Sequence, residues 1–330
     1  MSYRLASDES ATDGMRRLVL EQLEAALDGL ESQDEHDHDE RVHDARKRLK
    51  KARAVLRLVR SALGEETFRH ENACFRDAAL ELGGARQGAA LIECLDGLRS
   101  AYGGQPGADG FADVRRLLED LRARAIGDAR ERGVELEVAQ TLRLAAHRCA
   151  AWTLEAEGWD ALSGGLVRTY ARGHKAFKRA YAEPSTKSFH EWRKRVKYHW
   201  YHVRLLQGIW PSPMQARRHA LNHLAELLGD DHDLGELRGV LRALPPSLAA
   251  DLGVDRLLAL VDRRERELRA EARHIGRRIY AEAPKHLLRR FGGYYRAWEA
   301  HSATAGSEAS AAASDDASTA TDRTERSTSA

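Results

Sequence analysis

The amino-acid sequence predicts an all-α protein with two pseudo-twofold-related helical-bundle halves around a basic central groove or pore. Good helix formers dominate the 330 residues and only 7 are proline, so few breakers interrupt the helices. Apolar side chains recur at the i, i+3 and i+4 spacing of amphipathic helices, without the alternation that is typical of strands. A motif near the start of the chain also recurs in its second half, which indicates an internal repeat.

The repeat joins VHDARKRLKKARAVLRLV at 42–59 to FHEWRKRVKYHWYHVRLL at 189–206. His43 aligns with His190, and the Arg-Lys-Arg that begins at Arg46 aligns with the one that begins at Arg193. A Leu-Gly pair follows in each half, at 82–83 and at 228–229, and each pair predicts a turn between helices. A looser match joins 115–125 to 255–265. We therefore expect one domain over 1–300, with halves at about 1–150 and 151–300.

In each repeat, one face of the predicted helix is apolar. The first apolar stripe contains Val42, Ala45, Leu49, Ala52, Leu56 and Val59, and the second contains Phe189, Trp192, Val196, His199, Val203 and Leu206. Because these positions recur every three or four residues, they predict the buried side of each helix. Most of the aromatic side chains around the second motif therefore belong to the core.

A cationic stripe borders each apolar stripe, about 100° round the helix. The first contains His43, Arg46, Lys50, Arg53, Arg57 and Arg60 with Lys47 beside it, and the second contains His190, Arg193, Lys197 and Arg204 with Lys194 and Tyr201 beside it. A third runs through Arg168, Arg172, Lys175 and Arg179. Like charges at this spacing destabilise a helix by roughly 0.2–0.5 kcal/mol per pair. Unmixed stripes therefore favour a polyanion site, and an ordinary solvated surface is the alternative.

Composition limits the cellular setting. The three cysteines, Cys74, Cys94 and Cys149, lie far apart and form no CxxC pair, which favours a reducing compartment. The N-terminus lacks the apolar segment of a signal peptide, and no run approaches the roughly 18 apolar residues of a membrane span. We therefore expect a cytoplasmic protein with no membrane partner.

Three segments are predicted to lie outside the helices. The stretch 31–40 carries six acidic residues, and 101–110 contains four glycines and a proline; both predict loops. The tail at 301–330 is rich in Ala, Ser and Thr, with two arginines against five carboxylates. Because it contains few large apolar groups, we expect it to be disordered.

The repeated His-x-x-Arg-Lys-Arg motif, with its Leu-Gly pairs and the opening SYRLASDES, resembles the CHAD domain family, the conserved histidine α-helical domain. The resemblance covers roughly 1–300. It implies two helical halves around a basic cavity that binds inorganic polyphosphate, without catalysis and without a cofactor. Nothing resembles the ExExK strand of the triphosphatase domain to which many members are fused, so we expect a stand-alone CHAD protein, with polyphosphate granules or polyphosphate-metabolising enzymes as further partners.

One departure from the family pattern concerns Arg86. The family favours Arg-Asp after the first Leu-Gly pair, whereas this chain has Arg86-Gln87; after the second pair Asp233 holds the expected place, preceded by His232. Arg86 retains the charge to bind phosphate, but the salt bridge that would orient it is missing.

The histidines that begin the repeated helices predict a pH dependence. Neighbouring cations should lower the pKa of His43 and His190, and a bound phosphate should favour their protonated forms. We therefore expect affinity to fall as pH rises through the histidine range.

Two other functions stay open. The cationic stripes also suit nucleic acid, with Trp200 or Tyr201 as stacking groups, although no nucleic-acid-binding motif is present. The segments DEHDHDE (34–40) and GDDHD (229–233) contain His and carboxylates in ligand-like density, which would suit a metal-dependent phosphohydrolase. Loop or capping roles are the simpler interpretation of both segments.

Overall fold

The structure, a computed structural model, describes residues 3–32, 38–104, 111–302 and 304. These ranges contain helices and no strand, which confirms the all-α prediction. The helices are α1 (Ala11–Glu31), α2 (His38–Leu58), α3 (Arg60–Leu63), α4 (Glu65–Glu81), α5 (Gly84–Tyr102), α6 (Phe111–Glu131), α7 (Val134–Ala150), α8 (Gly158–Ala182), α9 (Thr186–Leu205), α10 (Pro211–Arg242), α11 (Pro246–Asp251), α12 (Val254–Ile279) and α13 over 284–302.

The repeated helices begin where local chemistry favours a helix start. Ser185 caps α9 by accepting a hydrogen bond from the backbone N–H of Ser188, whose side chain in turn accepts from the Ser185 N–H. This reciprocal capping box satisfies two backbone donors that the first turn leaves unpaired. The first turn of α2 contains Asp39 and Glu40, whose negative charge is favourable at the N-terminus of a helix.

The predicted apolar stripes are buried, as expected. All six side chains of each stripe are at most 5% exposed; five of each lie on α2 or α9, and the last, Val59 or Leu206, directly follows its helix. Trp192 is among the largest fully buried side chains of the protein. The periodicity of the sequence therefore identified the core face of both helices correctly.

The long helices pack in the same order on either side of residue 158. Helix α1 packs on α2 and α8 on α9; α2 packs on α4 and α9 on α10; α5 packs on α6 and α10 on α12. Helices α2 and α9 also contact each other. There the buried Nε2 of His202 lies 2.9 Å from the carbonyl oxygen of Ala54.

The N-terminal segment lies across this contact. The backbone N–H of Leu5 donates to the carbonyl of Leu205 on α9 at 3.0 Å, and the Tyr3 hydroxyl donates to the carbonyl of Lys51 on α2 at 2.8 Å. Tyr3 and Leu5 are both buried. The start of the chain therefore contributes to the packing of both repeated helices.

One of the two predicted Leu-Gly turns is wrong. Leu82 and Gly83 do separate α4 from α5, but α10 continues without a break through Leu228 and Gly229. Two glycines stand together at the first site, whereas a single glycine stands at the second. One interior glycine costs a helix roughly 0.8–1.0 kcal/mol, and the leucines buried along α10 offset that cost.

Other expectations concern where helix α2 ends and which predicted loop and tail residues the structure describes. Helix α2 stops at Leu58, so Arg60, the last cation of its sequence pattern, belongs to α3. The centres of the two predicted loops, 33–37 and 105–110, and the predicted disordered tail from 305 onward lie outside the described residues. Within the described ranges, no helix combines the length and apolar character needed to cross a membrane.

Candidate functional site

Four helical regions meet around a basic cleft, here called the central cleft. It has a volume of about 420 Å³. Its walls come from α2, the α4–α5 junction, α9 and α10. The lining includes His43, Arg46, Lys50, Gln87, Arg193, His232, Asp233 and Glu236. The structure thus brings together predicted site residues from both repeats.

Two arginines that correspond in the repeat lie against the two Leu-Gly glycines. Nη1 of Arg46 donates to the carbonyl of Gly83 at 2.9 Å. A side chain added at Gly83 would lie 3.8 Å from the Arg46 guanidinium, and one added at Gly229 would lie 3.6 Å from that of Arg193. Each glycine therefore lies against the first arginine of its own motif. This contact recurs in both halves even though only one of the glycines is in a turn.

A histidine pair lies beside these arginines. Nδ1 of His190 and Nδ1 of His232 are 3.2 Å apart. The pKa of His190 is lowered to about 4, first by burial and then by His232, Lys194 and Arg193. The pKa of His232 is also lowered to about 4, first by burial and then by Arg193, Lys50 and Lys194. Both rings are therefore neutral at pH 7. This agrees with the contact between the two Nδ1 atoms, because a hydrogen bond between them requires that one Nδ1 carries no proton and accepts.

Carboxylates also line the central cleft. Asp233 and Glu236 belong to its wall on α10, and the amide of Gln87 on α5 donates to Glu236 at 2.9 Å. Gln87 replaces the aspartate that the family favours at this place, and its bond joins α5 to α10. The positive field of the central cleft is thus moderated on its α10 side.

A second cleft, the α8–α9 cleft, is more strongly basic. Its volume is about 630 Å³. Arg172 and Lys175 were predicted to bind polyanion, and both line it. The remaining charged residues of its wall are Arg179, Lys187, Arg195, Glu183 and Glu191. Five cations against two carboxylates make this wall a stronger attractor for anions than the central cleft.

Arg57 lies near the C-terminal end of α2, two turns beyond the cleft-lining Lys50. It donates to the side-chain oxygen of Asn72, and its guanidinium lies 4.2 Å from the ring centre of Tyr198. Its pKa is lowered to about 10, mainly by burial and further by Arg53, Arg195 and Arg172. The electrostatic influence of Arg195 and Arg172 places Arg57 near the α8–α9 cleft, so cations continue along α2 from one cleft towards the other.

Asn72 was not identified from the sequence. It also accepts a hydrogen bond from Arg53 at 3.2 Å. One neutral amide therefore orients two cations of the same stripe without cancelling their charge. Because Asn72 lies outside the repeated motif, no sequence signal pointed to it.

The remaining predicted cations vary in their surroundings. Lys47 pairs with Asp44 at 2.7 Å and Lys194 pairs with Glu191, each within its own helix. Lys197 lies 4.5 Å from the ring centre of Trp200. Arg204 contacts the rings of Tyr3 and Trp200. Arg168 is exposed on α8, and Arg86 lies at the start of α5, with a side chain outside the described part of the structure.

Tyr201 was expected beside the cationic stripe, but its side chain does not reach the cationic surface. It is 3% exposed, and its ring packs edge-on against Tyr3 with the centroids 6.1 Å apart. Burial raises its pKa to about 12. The N-terminal segment, which the helical periodicity of α9 could not reveal, covers this side chain. The stacking role considered for Tyr201 has no exposed ring face to support it.

Within the described ranges, no group of three or more His, Cys, Asp or Glu side chains is arranged to hold a metal ion. The GDDHD segment belongs to α10 and not to a loop. Its Asp231 forms a 2.5 Å ion pair with Arg269 and is buried. Its histidine faces His190. The members of this segment therefore have separate structural surroundings.

Comparison with known proteins gives the family and the fold. The CHAD domain model matches residues 21–242. PptA from Streptomyces chartreusis has a similar structure, with a TM-score of 0.56 and 18% identity over 82% of this chain and 99% of that one. The CHAD domain from the plant Ricinus communis gives a TM-score of 0.53 and 20% identity over 86% of this chain and 95% of that one. No curated protein matches significantly.

Proposed function

Because the chain belongs to the CHAD domain family, we propose that it binds inorganic polyphosphate through the central cleft and the α8–α9 cleft, and that it does so without catalysis. The observation that carries this proposal is the convergence of Arg46 and Lys50 from one repeat with Arg193 from the other on a single cleft. A chain of phosphates needs several cations at intervals, and guanidinium groups bind phosphate oxygens in bidentate fashion.

The length of the cationic surface supports a linear ligand over a compact one. From His43 to Arg57, α2 rises by about 21 Å at 1.5 Å per residue. Cations follow this whole length, and Arg57 continues it towards Arg172 and Arg195. A flexible polyanion can therefore contact both clefts at once, whereas a single phosphate would fill only part of one.

Nucleic acid is a weaker candidate because the aromatic side chains near the cations are engaged. Trp200 is covered by Lys197 and Tyr201 is buried. Single-stranded nucleic acid depends on bases that stack on exposed rings. We infer that the clefts favour a polyanion without bases. Displacement of bound RNA by long polyphosphate tests this preference, and failure to displace it would favour nucleic acid.

Calorimetric titration with polyphosphate tests the site. The test variant carries Arg193→Ala, Lys194→Ala and Lys197→Ala, and the matched control carries Arg124→Ala, Arg242→Ala and Arg256→Ala at exposed positions outside both clefts. We expect weaker binding in the test variant alone. Affinity of the wild type should fall with salt, with a log–log slope of about −0.7 to −0.9 per phosphate contact if nucleic acids are a guide. Equal affinity of the test variant and the wild type would refute the site.

The non-catalytic part of the proposal needs its own assay. Protein is incubated with polyphosphate or ATP and with Mg²⁺ or Mn²⁺, and released phosphate is measured. We expect none above the protein-free control. Release that depends on Asp230 or Asp233 would instead favour a metal-dependent phosphohydrolase.

Association with polyphosphate granules in the cytoplasm would follow from such binding. A fluorescent fusion should concentrate on granules, and the variant with three alanines at 193, 194 and 197 should not. The same comparison separates direct binding from recruitment by a polyphosphate-metabolising enzyme, since recruitment would be unaffected by the substitutions.

A further inference from the structure

The C-terminal part of α12 and the start of α13 carry a second concentration of positive charge, away from both clefts. Between Ala272 and Trp298 the sequence has seven Lys and Arg and a single acid, Glu282. The exposed Lys, Arg and His side chains from 273 to 289 are here called the α12–α13 patch: Arg273, His274, Arg277, Arg278, Lys285, His286 and Arg289. None of them lines either cleft.

The preceding part of α12 is organised differently. There, Arg263 pairs with Glu267 at 3.2 Å and Arg269 pairs with Glu265 at 3.1 Å. Mixed charges of this kind are the ordinary state of a solvated helix face. The patch thus begins where the ion pairing of the same helix ends.

Within the described residues, no carboxylate pairs with a side chain of the patch. Glu282, the acid nearest in sequence, is engaged elsewhere: Arg290 bonds to it and Arg217 lies 3.5 Å from it. The guanidinium of Arg273 lies 5.1 Å from the ring centre of Tyr181, a contact that orients the group without supplying a negatively charged partner.

The turn between the two helices is firmly held. The Tyr170 hydroxyl donates to the carbonyls of Ile279 and Glu282 at 3.1 and 2.8 Å. Tyr280 is buried, and His174 stacks parallel to its ring at 5.8 Å. The patch is therefore presented on a fixed backbone, so that ligand binding has to order the side chains of its cations but not the backbone that carries them.

Helix electrostatics accounts for only part of the patch. Arg277 and Arg278 are in the last turn of α12, where cations interact favourably with the helix dipole. Lys285 is in the first turn of α13, where the same dipole opposes positive charge. The first turn of α13 therefore carries charge that its own stability disfavours, which indicates an anionic partner.

Resting on the function proposed above, we propose that the α12–α13 patch binds a second strand of polyphosphate, so that one protein molecule bridges two polyphosphate chains. Within 273–289, the segment that carries the patch, Tyr280 is the only Phe, Tyr or Trp, and it is 4% exposed. This segment offers a base no exposed ring of these types to stack on, so the patch suits a chain of phosphates better than single-stranded nucleic acid. Two separate sites for one polymer give bivalent attachment, which raises retention on a dense polyphosphate surface.

A sandwich assay tests the bridge. Polyphosphate is immobilised on a surface, protein is captured on it, unbound protein is washed away, and fluorescent long-chain polyphosphate is added. The first step reports the proposed function, and the second reports the patch. The test variant is Arg277→Glu/Arg278→Glu. The charge-matched control is Arg124→Glu/Arg256→Glu, at exposed positions outside the patch and both clefts.

We expect the wild type and the control to retain fluorescent polyphosphate, and the test variant to be captured but to retain only background fluorescence. Retention by the test variant at the wild-type level would overturn the bridge, because the signal would then not depend on the patch. A signal that comes from dimers of the protein would give this result. Retention of fluorescent RNA by the wild type, without retention of polyphosphate, would make nucleic acid the occupant and overturn this proposal alone. Failure of the wild type at the capture step would refute the proposed function as well.

Discussion

The imidazole rings of His190 and His232 face each other beside the central cleft, which His232 lines, with their Nδ1 atoms 3.2 Å apart. His190 belongs to the repeated motif on α9, whereas His232 belongs to the middle of α10. Burial lowers the pKa of both rings to about 4, and the surrounding cations contribute in the same direction. The pair is therefore neutral at pH 7 but lies where an anionic ligand would stabilise its protonated form.

The first prediction concerns proton uptake on binding. Phosphate should raise the pKa of both histidines from about 4 towards or beyond the ordinary value of roughly 6.5. Affinity should then fall as pH rises from about 4 to about 6.5, by up to tenfold per pH unit for each proton. Titration calorimetry at pH 5.5 in two buffers of different ionisation enthalpy measures the uptake directly. Long-chain polyphosphate keeps the contribution of terminal groups small.

His232→Gln provides the control for this prediction. It should reduce the uptake and should also raise the pKa of His190, which proton NMR can follow, because His232 is a source of the lowered pKa. Binding without proton uptake across this pH window would show that the pair stays neutral in the complex.

The second prediction compares the two repeated glycines. A Cβ at Gly83 would lie 2.6 Å from the carbonyl oxygen of Leu80, whereas one at Gly229 would meet only the Arg193 side chain, at 3.6 Å or more. Gly83→Ala should therefore lower the free energy of unfolding by about 1 kcal/mol or more. Gly229→Ala should raise it by about 0.5–1 kcal/mol, since Gly229 is in a helix interior. Urea denaturation midpoints measure both; changes of the same sign would contradict the assignment of one turn and one continuous helix.

The third prediction separates Tyr201 from the cations of the same motif. Arg193→Ala should weaken polyphosphate binding by about 1.5–3 kcal/mol, the usual contribution of a hydrogen bond to a charged group. Tyr201→Phe should change affinity by less than about twofold, or roughly 0.4 kcal/mol, because the side chain is buried under Tyr3. Fluorescence anisotropy with labelled polyphosphate compares the two, and a large loss in Tyr201→Phe would return its hydroxyl to the binding surface.

The fourth prediction concerns stability in acid. His202 is fully buried between α2 and α9, with Nε2 2.9 Å from the Ala54 carbonyl. Burial lowers its pKa to about 3, below the unfolded value of roughly 6.5. The unfolded chain therefore binds a proton that the folded chain excludes, and stability falls as pH decreases from about 6.5 towards 3. The slope is about 1.4 kcal/mol per pH unit for this residue.

Chemical denaturation at several pH values measures this slope. His202→Gln removes the titrating group and should flatten the pH dependence, even if it lowers stability at pH 7. An unchanged slope in that variant would assign the acid sensitivity to other groups, among them the buried His199, whose pKa is also well below its usual value because of burial.

Helical periodicity predicted the core of the repeated helices because burial depends on a regular geometric pattern. Trp192 and Val196 follow the spacing of one helix face, and both are fully buried. The same pattern could not predict Tyr201. Its surroundings are set by Tyr3, which lies nearly 200 positions away in the sequence, and no local period records such a contact.

The lining of the central cleft was predictable where the repeat marked it and not elsewhere. Arg46 and Arg193 meet in the central cleft as the alignment of the two halves suggested. His232 was placed in a loop because the first half has a turn at the corresponding position, and the repeat was assumed to conserve it. Lys187 lines the α8–α9 cleft. It is in the first turn of α9, directly after the connection from α8, and the stripe patterns do not include this part of the chain.

The broken pair α4–α5 and the continuous helix α10 give the two halves different mechanical properties. Helix α10 is one uninterrupted helix of 32 residues, so we expect the wall that carries His232 to move as a rigid unit. The opposite wall is interrupted at Gly83, where the hydrogen bond from Arg46 to the Gly83 carbonyl stabilises the turn between α4 and α5. A polyanion that draws the Arg46 guanidinium towards itself would weaken this hydrogen bond. Adjustment of the cleft to its ligand should therefore occur mainly in the first half of the chain.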